Sequence, residues 1–196
     1  MPHSVLSPLP PPTVLTLDTE QVKWNLAFHE AGHSVAGLVW GVRGLTPQLV
    51  AVEHEGRHGF SGHTHFEVAP GLEAVTHMAA GGRADRLYLK RTELWSLHRQ
   101  ILEQVTEGEH DRAHAENLLG QCVDWKPVYA TVESTLREVW EDVERVAAEL
   151  HAHERVTDDR LRDLAPRALA LLADRAPDPD AYEEITAAWK AAGVSP

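Results

Sequence analysis

The sequence predicts a mainly α-helical fold (α+β) that carries one small β-hairpin. Three observations point there. Val132, Leu136, Val139, Val143, Val146 and Leu150 step by four and three, the spacing of one helical face. Residues 48–54, QLVAVEH, and 59–68, GFSGHTHFEV, flank the polar turn EGRHG, which is a hairpin pattern. Most of the remaining sequence from Asp18 onward reads as further helix-length segments separated by capping and breaking residues.

In chain order, residues 1–17 are proline-rich and predict a flexible arm. Asp18 or Thr19 can cap a first helix, with Glu20 favourable in its first turn; Gly41, Gly44 and Pro47 stop that helix near Trp40. In the second hairpin strand Phe60, Thr64, Phe66 and Val68 share one face, and Ser61, His63, His65 and Glu67 the other. Helices follow over about 71–89, 92–106 and 109–119, then one long helix over about 128–153. Thr157 caps a short helix through Leu164, with Asp158 and Asp159 well placed for its dipole. Residues 18–165 are thus expected to form one domain. Residues 166–196 are expected to form a tail in which AYEEITAAWK aligns Tyr182, Ile185 and Trp189 on a short amphipathic helix.

Composition narrows the function. The 196 residues and 43% hydrophobic content suit one folded domain with a real core. A formal charge of −12 argues against nucleic acid or an anionic membrane as partner. No signal peptide and no apolar run of the ~20 residues a span needs is visible, so the expectation is a soluble cytoplasmic protein. The single cysteine, Cys122, excludes a disulfide framework and a cysteine metal cage. The 13 histidines and the carboxylates are then the available ligand pool.

One stretch spends that pool in an unexpected place. In NLAFHEAGHSVAG, residues 25–37, His29 and His33 lie four apart on an otherwise apolar helix. Residues i and i+4 sit one above the other, so both imidazoles can point at one ion. Glu30 is rotated off that line and can reach a water as general base. Unpartnered polar groups on a buried helix face would be costly, which favours a zinc ion over a polar core cluster. Gly32 is disfavoured inside a helix by ~1 kcal/mol relative to alanine, tolerable where something packs closely.

With AAGGRADRL (79–87), EGEHDRAHAENLL (107–119) and the segment VWEDVERVAAELHAHERVTDDRLRDL (139–164) in that order, the chain resembles the peptidase domain of FtsH-type ATP-dependent zinc proteases over about residues 20–165. The resemblance implies a zincin-like helical peptidase domain. It implies that His29 and His33 are zinc ligands, Glu30 the general base and Asp111 the third ligand. It also implies that Gly81 and Gly82 mark a close backbone approach beside the metal helix. Around Asp111 the residues themselves leave rivals: His110, rotated by ~100°, His114 on nearly the same face, and Glu107. His63, His65 and Glu67 read either as a second metal set or as a solvated strand face, and Arg83 as a carboxylate partner or an exposed arginine. In the family a strand in the hairpin's position is an edge to which substrate backbone adds.

No GxxxxGK[ST] phosphate loop occurs in this sequence, and the segment from Lys90 to Gly108 is longer than the family's link. The expected function is a Zn2+-dependent, ATP-independent endopeptidase acting on unfolded or extended peptide or protein substrates. A dedicated cleaver of one regulator would share that chemistry. The alternative is a non-catalytic, zinc-containing peptide-binding or regulatory module. Oligomeric state stays open at this level.

Overall fold

A computed structural model describes residues 18–54, 57–67, 72–95, 107–119 and 123–175. The expected proline-rich arm, the expected AYEEITAAWK helix and most of the expected 92–106 helix lie outside the described residues. Within them the chain is mainly helical with one two-stranded antiparallel hairpin, as the sequence predicts. The elements are α1 (Thr19–Val39), β1 (Arg43–His54), β2 (Arg57–Glu67), α2 (Leu72–Arg91), α3 (Glu107–Leu119), α4 (Trp125–Glu138), α5 (Trp140–His153), α6 (Asp158–Leu164) and α7 (Pro166–Arg175).

Helix α1 is the central element and packs against α2, both strands, α5 and α7. It starts on Asp18, whose carboxylate accepts the Gln21 N–H at 2.8 Å while the Gln21 side chain accepts the Asp18 N–H at 3.1 Å. This reciprocal cap satisfies two donors that the helix end would otherwise orphan. Past the helix end, Gly41 takes φ +76°, a region that strains any residue with a Cβ, and the chain turns into β1. Nearly all of α1 from Ala27 to Val39 is buried, so its polar side chains need partners inside the protein.

The apolar stripe of the closing segment is as predicted: all six of its residues are fully buried. The single helix is not. Val139, at φ −102° and ψ 19°, separates α4 from α5, and its carbonyl accepts the N–H of both Asp142 (2.9 Å) and Val143 (3.2 Å). Such a tightened turn keeps the apolar residues facing the core, so the stripe survives and carries no trace of the break. Trp140, the first residue after it, stacks on Phe28 of α1 with ring centroids 5.5 Å apart. No proline or glycine announces the break in the sequence.

Two other boundaries differ from expectation. Thr92 and Glu93 form a turn, with Glu93 at φ +59°, and Leu94 and Trp95 are not helical, so no helix begins at 92. The packed body also does not end at 165. Pro166 opens α7, a position where its missing N–H costs nothing. Ala168 is fully buried, and its N–H donates to the buried Asp142 carboxylate at 2.8 Å. A small alanine makes that contact, which hid α7 from a pattern of large apolar residues.

The end of α5 fixes the hairpin. Glu154 caps the helix at φ +62°, its carbonyl accepts the Leu49 N–H at 2.7 Å, and Val156 donates to the Pro47 carbonyl at 3.1 Å. One edge of β1 is thereby tied down, and β2 pairs with the other. Among the described residues the outer edge of β2 has no strand partner. No helix among them is long and apolar enough to cross a membrane.

Candidate metal centre

The two helices that build the site run in opposite directions and meet in a regular ladder. His29 on α1 faces Asp85 on α2, His33 faces Gly81, and Gly37 faces His77. Each set is spaced by four, which is one face of a helix. The helices approach closely because the facing residues are small. A Cβ on Gly32 would lie 2.4 Å from Ala84 Cβ and 2.8 Å from the Ala80 carbonyl oxygen. A Cβ on Gly81 would lie 2.4 Å from His33 Nε2 and 2.5 Å from His29 Nε2. Gly81 therefore marks the close approach that the resemblance implies, whereas Gly82 meets nothing within 4 Å and does not.

Hydrogen bonds set the tautomer of both histidines. His29 Nδ1–H donates to Asp85 Oδ2 at 2.8 Å. His33 Nδ1–H donates to the main-chain oxygen of His77 at 2.7 Å, an atom that can only accept. The free Nε2 lone pairs then point at one another, 3.0 Å apart. Asp111 Oδ2, from the first turns of α3, stands 3.4 Å from His29 Nε2 and 3.5 Å from His33 Nε2. Three lone-pair donors converge with no proton left to share among neutral imidazoles. These separations suit a tetrahedral ion, whose ligands about 2.1 Å away lie roughly 3.4 Å from one another. Among the described residues this is the only group of three His, Cys, Asp or Glu side chains placed to hold a metal ion.

Electrostatics agree with the geometry. Burial disfavours charge on His29, yet Asp85, Asp111 and Glu30 outweigh it and raise its proton affinity well above the ordinary value. Burial likewise opposes charge on His33, and Asp111 more than offsets it. Burial pushes the Asp111 carboxyl upward, but His33 and His29 hold it far below the usual range. The cluster calls for positive charge, which a divalent cation supplies more fully than protons. His77 behaves in the opposite way: burial, and then the neighbouring His33, lower it to about 3, so it stays neutral.

The remaining parts complete a cleft. Glu30 is 3% exposed, and its Oε2 accepts from Thr64 Oγ1 of β2 at 2.6 Å. A Cβ on Gly62 would lie 2.5 Å from Glu30 Oε1, so this strand reaches the carboxylate only because residue 62 is glycine. A cavity of about 510 Å³ is bounded by His29, Glu30, His33 and Asp111, with Leu26, Phe60, Phe66 and Met78 as its apolar wall. Helix α3, which brings Asp111, is anchored by its buried Ala115 and by Glu116, whose Oε1 accepts from Trp125 Nε1 at 2.8 Å.

Of the rivals to Asp111, His114 also borders the cavity, while the side chains of Glu107 and His110 lie outside the described residues. His63, His65 and Glu67 are exposed on the outer strand face, where Gln48 meets the His63 ring across the hairpin, and they form no described ligand group. Arg83 is half-buried, and its guanidinium stacks on the Tyr129 ring at 3.8 Å, tying α2 to α4.

Sequence reasoning missed Asp85, His77 and Thr64. A signal for the first two was present, since each lies four residues from Gly81 on the same face of α2. Thr64 carried none, because strand alternation does not reveal which helix residue a strand faces. No family model matches the chain, and no curated protein matches it.

Proposed function

We propose that this chain is a zinc metalloendopeptidase, similar in its site to the FtsH-type peptidase domain and acting on unfolded or extended protein segments without ATP. The observation that carries this reading is the convergence of His29 Nε2, His33 Nε2 and Asp111 Oδ2 beside the buried Glu30 carboxylate in one cleft. Two imidazoles and a carboxylate with an open fourth position are a donor set of catalytic zinc. When bound, the ion supplies Lewis acidity, lowering the pKa of water to ~7 and polarising a peptide carbonyl.

The chain's own residues do the rest. Glu30 takes the proton of the attacking water and returns it to the departing amine. Thr64 holds one Glu30 oxygen, and so keeps the carboxylate from swinging away from the cleft. Asp85 orients His29 and raises its basicity toward a cation. The outer edge of β2, which has no strand partner among the described residues, offers main-chain groups to which an extended substrate adds as a strand, leaving specificity to side-chain pockets. On this reading the substrate is already extended when it reaches the cleft.

The test is hydrolysis of an unfolded protein by the zinc-loaded chain. Glu30→Gln is expected to keep its zinc and lose activity by about 10²–10⁴-fold. Equal cleavage by both proteins would falsify the assignment of the base. Absence of cleavage by wild type, with peptide binding that persists in Glu30→Gln, would support the non-catalytic peptide-binding module instead.

A further inference from the structure

The geometry points to His77 as a positioning residue that sets the His33 ligand through a reciprocal His-to-backbone clasp between α1 and α2. This inference rests on the metal reading above and deepens it.

Both helices carry the same short pattern: His33-Ser-Val-Ala-Gly37 on α1 and His77-Met-Ala-Ala-Gly81 on α2. The histidine of each donates to the main chain of the other. His77 Nδ1–H donates to the His33 carbonyl at 2.9 Å, and His33 Nδ1–H donates to the His77 carbonyl at 2.7 Å. In each helix the glycine one turn on clears space for the opposing ring. A Cβ on Gly37 would lie 3.0 Å from His77 Nδ1, and one on Gly81 would lie 2.4 Å from His33 Nε2. A helical carbonyl has a second lone pair beyond its ladder bond, so both contacts form without unwinding either helix.

The consequence for the ligand is specific. The bond from the His33 ring fixes the ring's rotation and tautomer, leaving Nε2 to the cation. The bond from His77 fixes the His33 backbone against sliding along α2. Translation of either helix breaks both at once. His77 is 1% exposed, with its ring held 4.3 Å from the Phe66 ring of β2, so the clasp also ties the hairpin to the metal ligand. His77 has no part in the proposed proton transfer; it acts through His33.

Three variants separate positioning from mere filling. His77→Asn keeps a donor at the place of Nδ1, His77→Gln carries its donor one atom farther, and His77→Leu fills the space without a donor. Zinc affinity is read by competition with a chromogenic chelator, and the visible bands of the cobalt-substituted protein report ligand geometry. Melting of the metal-free forms checks folding.

We expect His77→Leu and His77→Gln to weaken zinc by about 10–100-fold and to alter the cobalt bands, and His77→Asn to stay within about threefold of wild type. Wild-type affinity in folded His77→Leu overturns the inference. Where His77→Leu does not fold, the pair of polar variants decides: equal affinities for His77→Asn and His77→Gln, high or low, overturn it. Wild type that takes up no zinc overturns the metal reading itself, an outcome distinct from a zinc-binding wild type matched by every variant.

Discussion

Helix α1 shares an aromatic stack with both neighbours, Phe28 lying on Trp140 of α5 and 4.2 Å from the Tyr88 ring of α2, but around the site its contact with α2 is of another kind. Toward α5 the large contacts are aromatic, Phe28 stacking on Trp140 with centroids 5.5 Å apart and Trp24 on His151 at 3.9 Å, with a His151–Glu20 ion pair at 2.7 Å beside them. Toward α2 the ladder around the site is small and polar, with Gly32 against Ala80 and Ala84, and His29 and His33 against Asp85, Gly81 and the His77 backbone. Apolar burial is non-directional and tolerates some repacking. A ladder of hydrogen bonds across a glycine contact tolerates almost none. The aromatic contacts thus supply stability, and the turns that carry His29 and His33 draw their geometry from α2.

Gly81→Ala tests the difference most severely. Its Cβ would overlap the ligand nitrogens of both histidines, so zinc uptake is expected to be lost, measured as metal per chain after dialysis. Trp140→Ala attacks the other side. It should cost about 3–5 kcal/mol of stability in denaturant unfolding, while the folded protein keeps wild-type zinc affinity. A loss of affinity as large as the loss of stability would mean that the two contacts are not separable.

Asp85→Ala removes the acceptor of His29 Nδ1–H and is expected to weaken zinc by about 10–100-fold in the chelator competition. Gly82→Ala gives the smallest effect. With nothing within 4 Å of its Cβ, it should stabilise the protein by about 0.5–1 kcal/mol and leave metal binding alone. Opposite outcomes at 81 and 82 would locate the close approach at one residue; equal outcomes would remove it.

The same contrast explains what could be read from the sequence. The stripe from Val132 to Leu150 and the strand alternation of Phe60, Thr64 and Phe66 are periodic, so burial could be assigned before any partner was known. His29, Glu30, His33 and Gly32 were legible as misfits: polar or glycine residues on a helix whose other residues demand burial. Asp111 needed the resemblance, because nothing local distinguishes one residue of EGEHDRAHAE from its neighbours. Asp85, His77 and Thr64 stayed hidden because each works through a contact between elements far apart in sequence. The break at Val139 stayed hidden for a related reason, since a single tightened turn leaves the apolar spacing intact.

The claim on which the rest stands is that two turns of α1 and one residue of α3 hold a zinc ion. Metal content of purified wild type beside Asp111→Ala, both dialysed against buffer with trace zinc, tests it most directly. One zinc per wild-type chain and a substantial loss in Asp111→Ala is the predicted result. A metal-free wild type, or a full equivalent retained by Asp111→Ala, would contradict it.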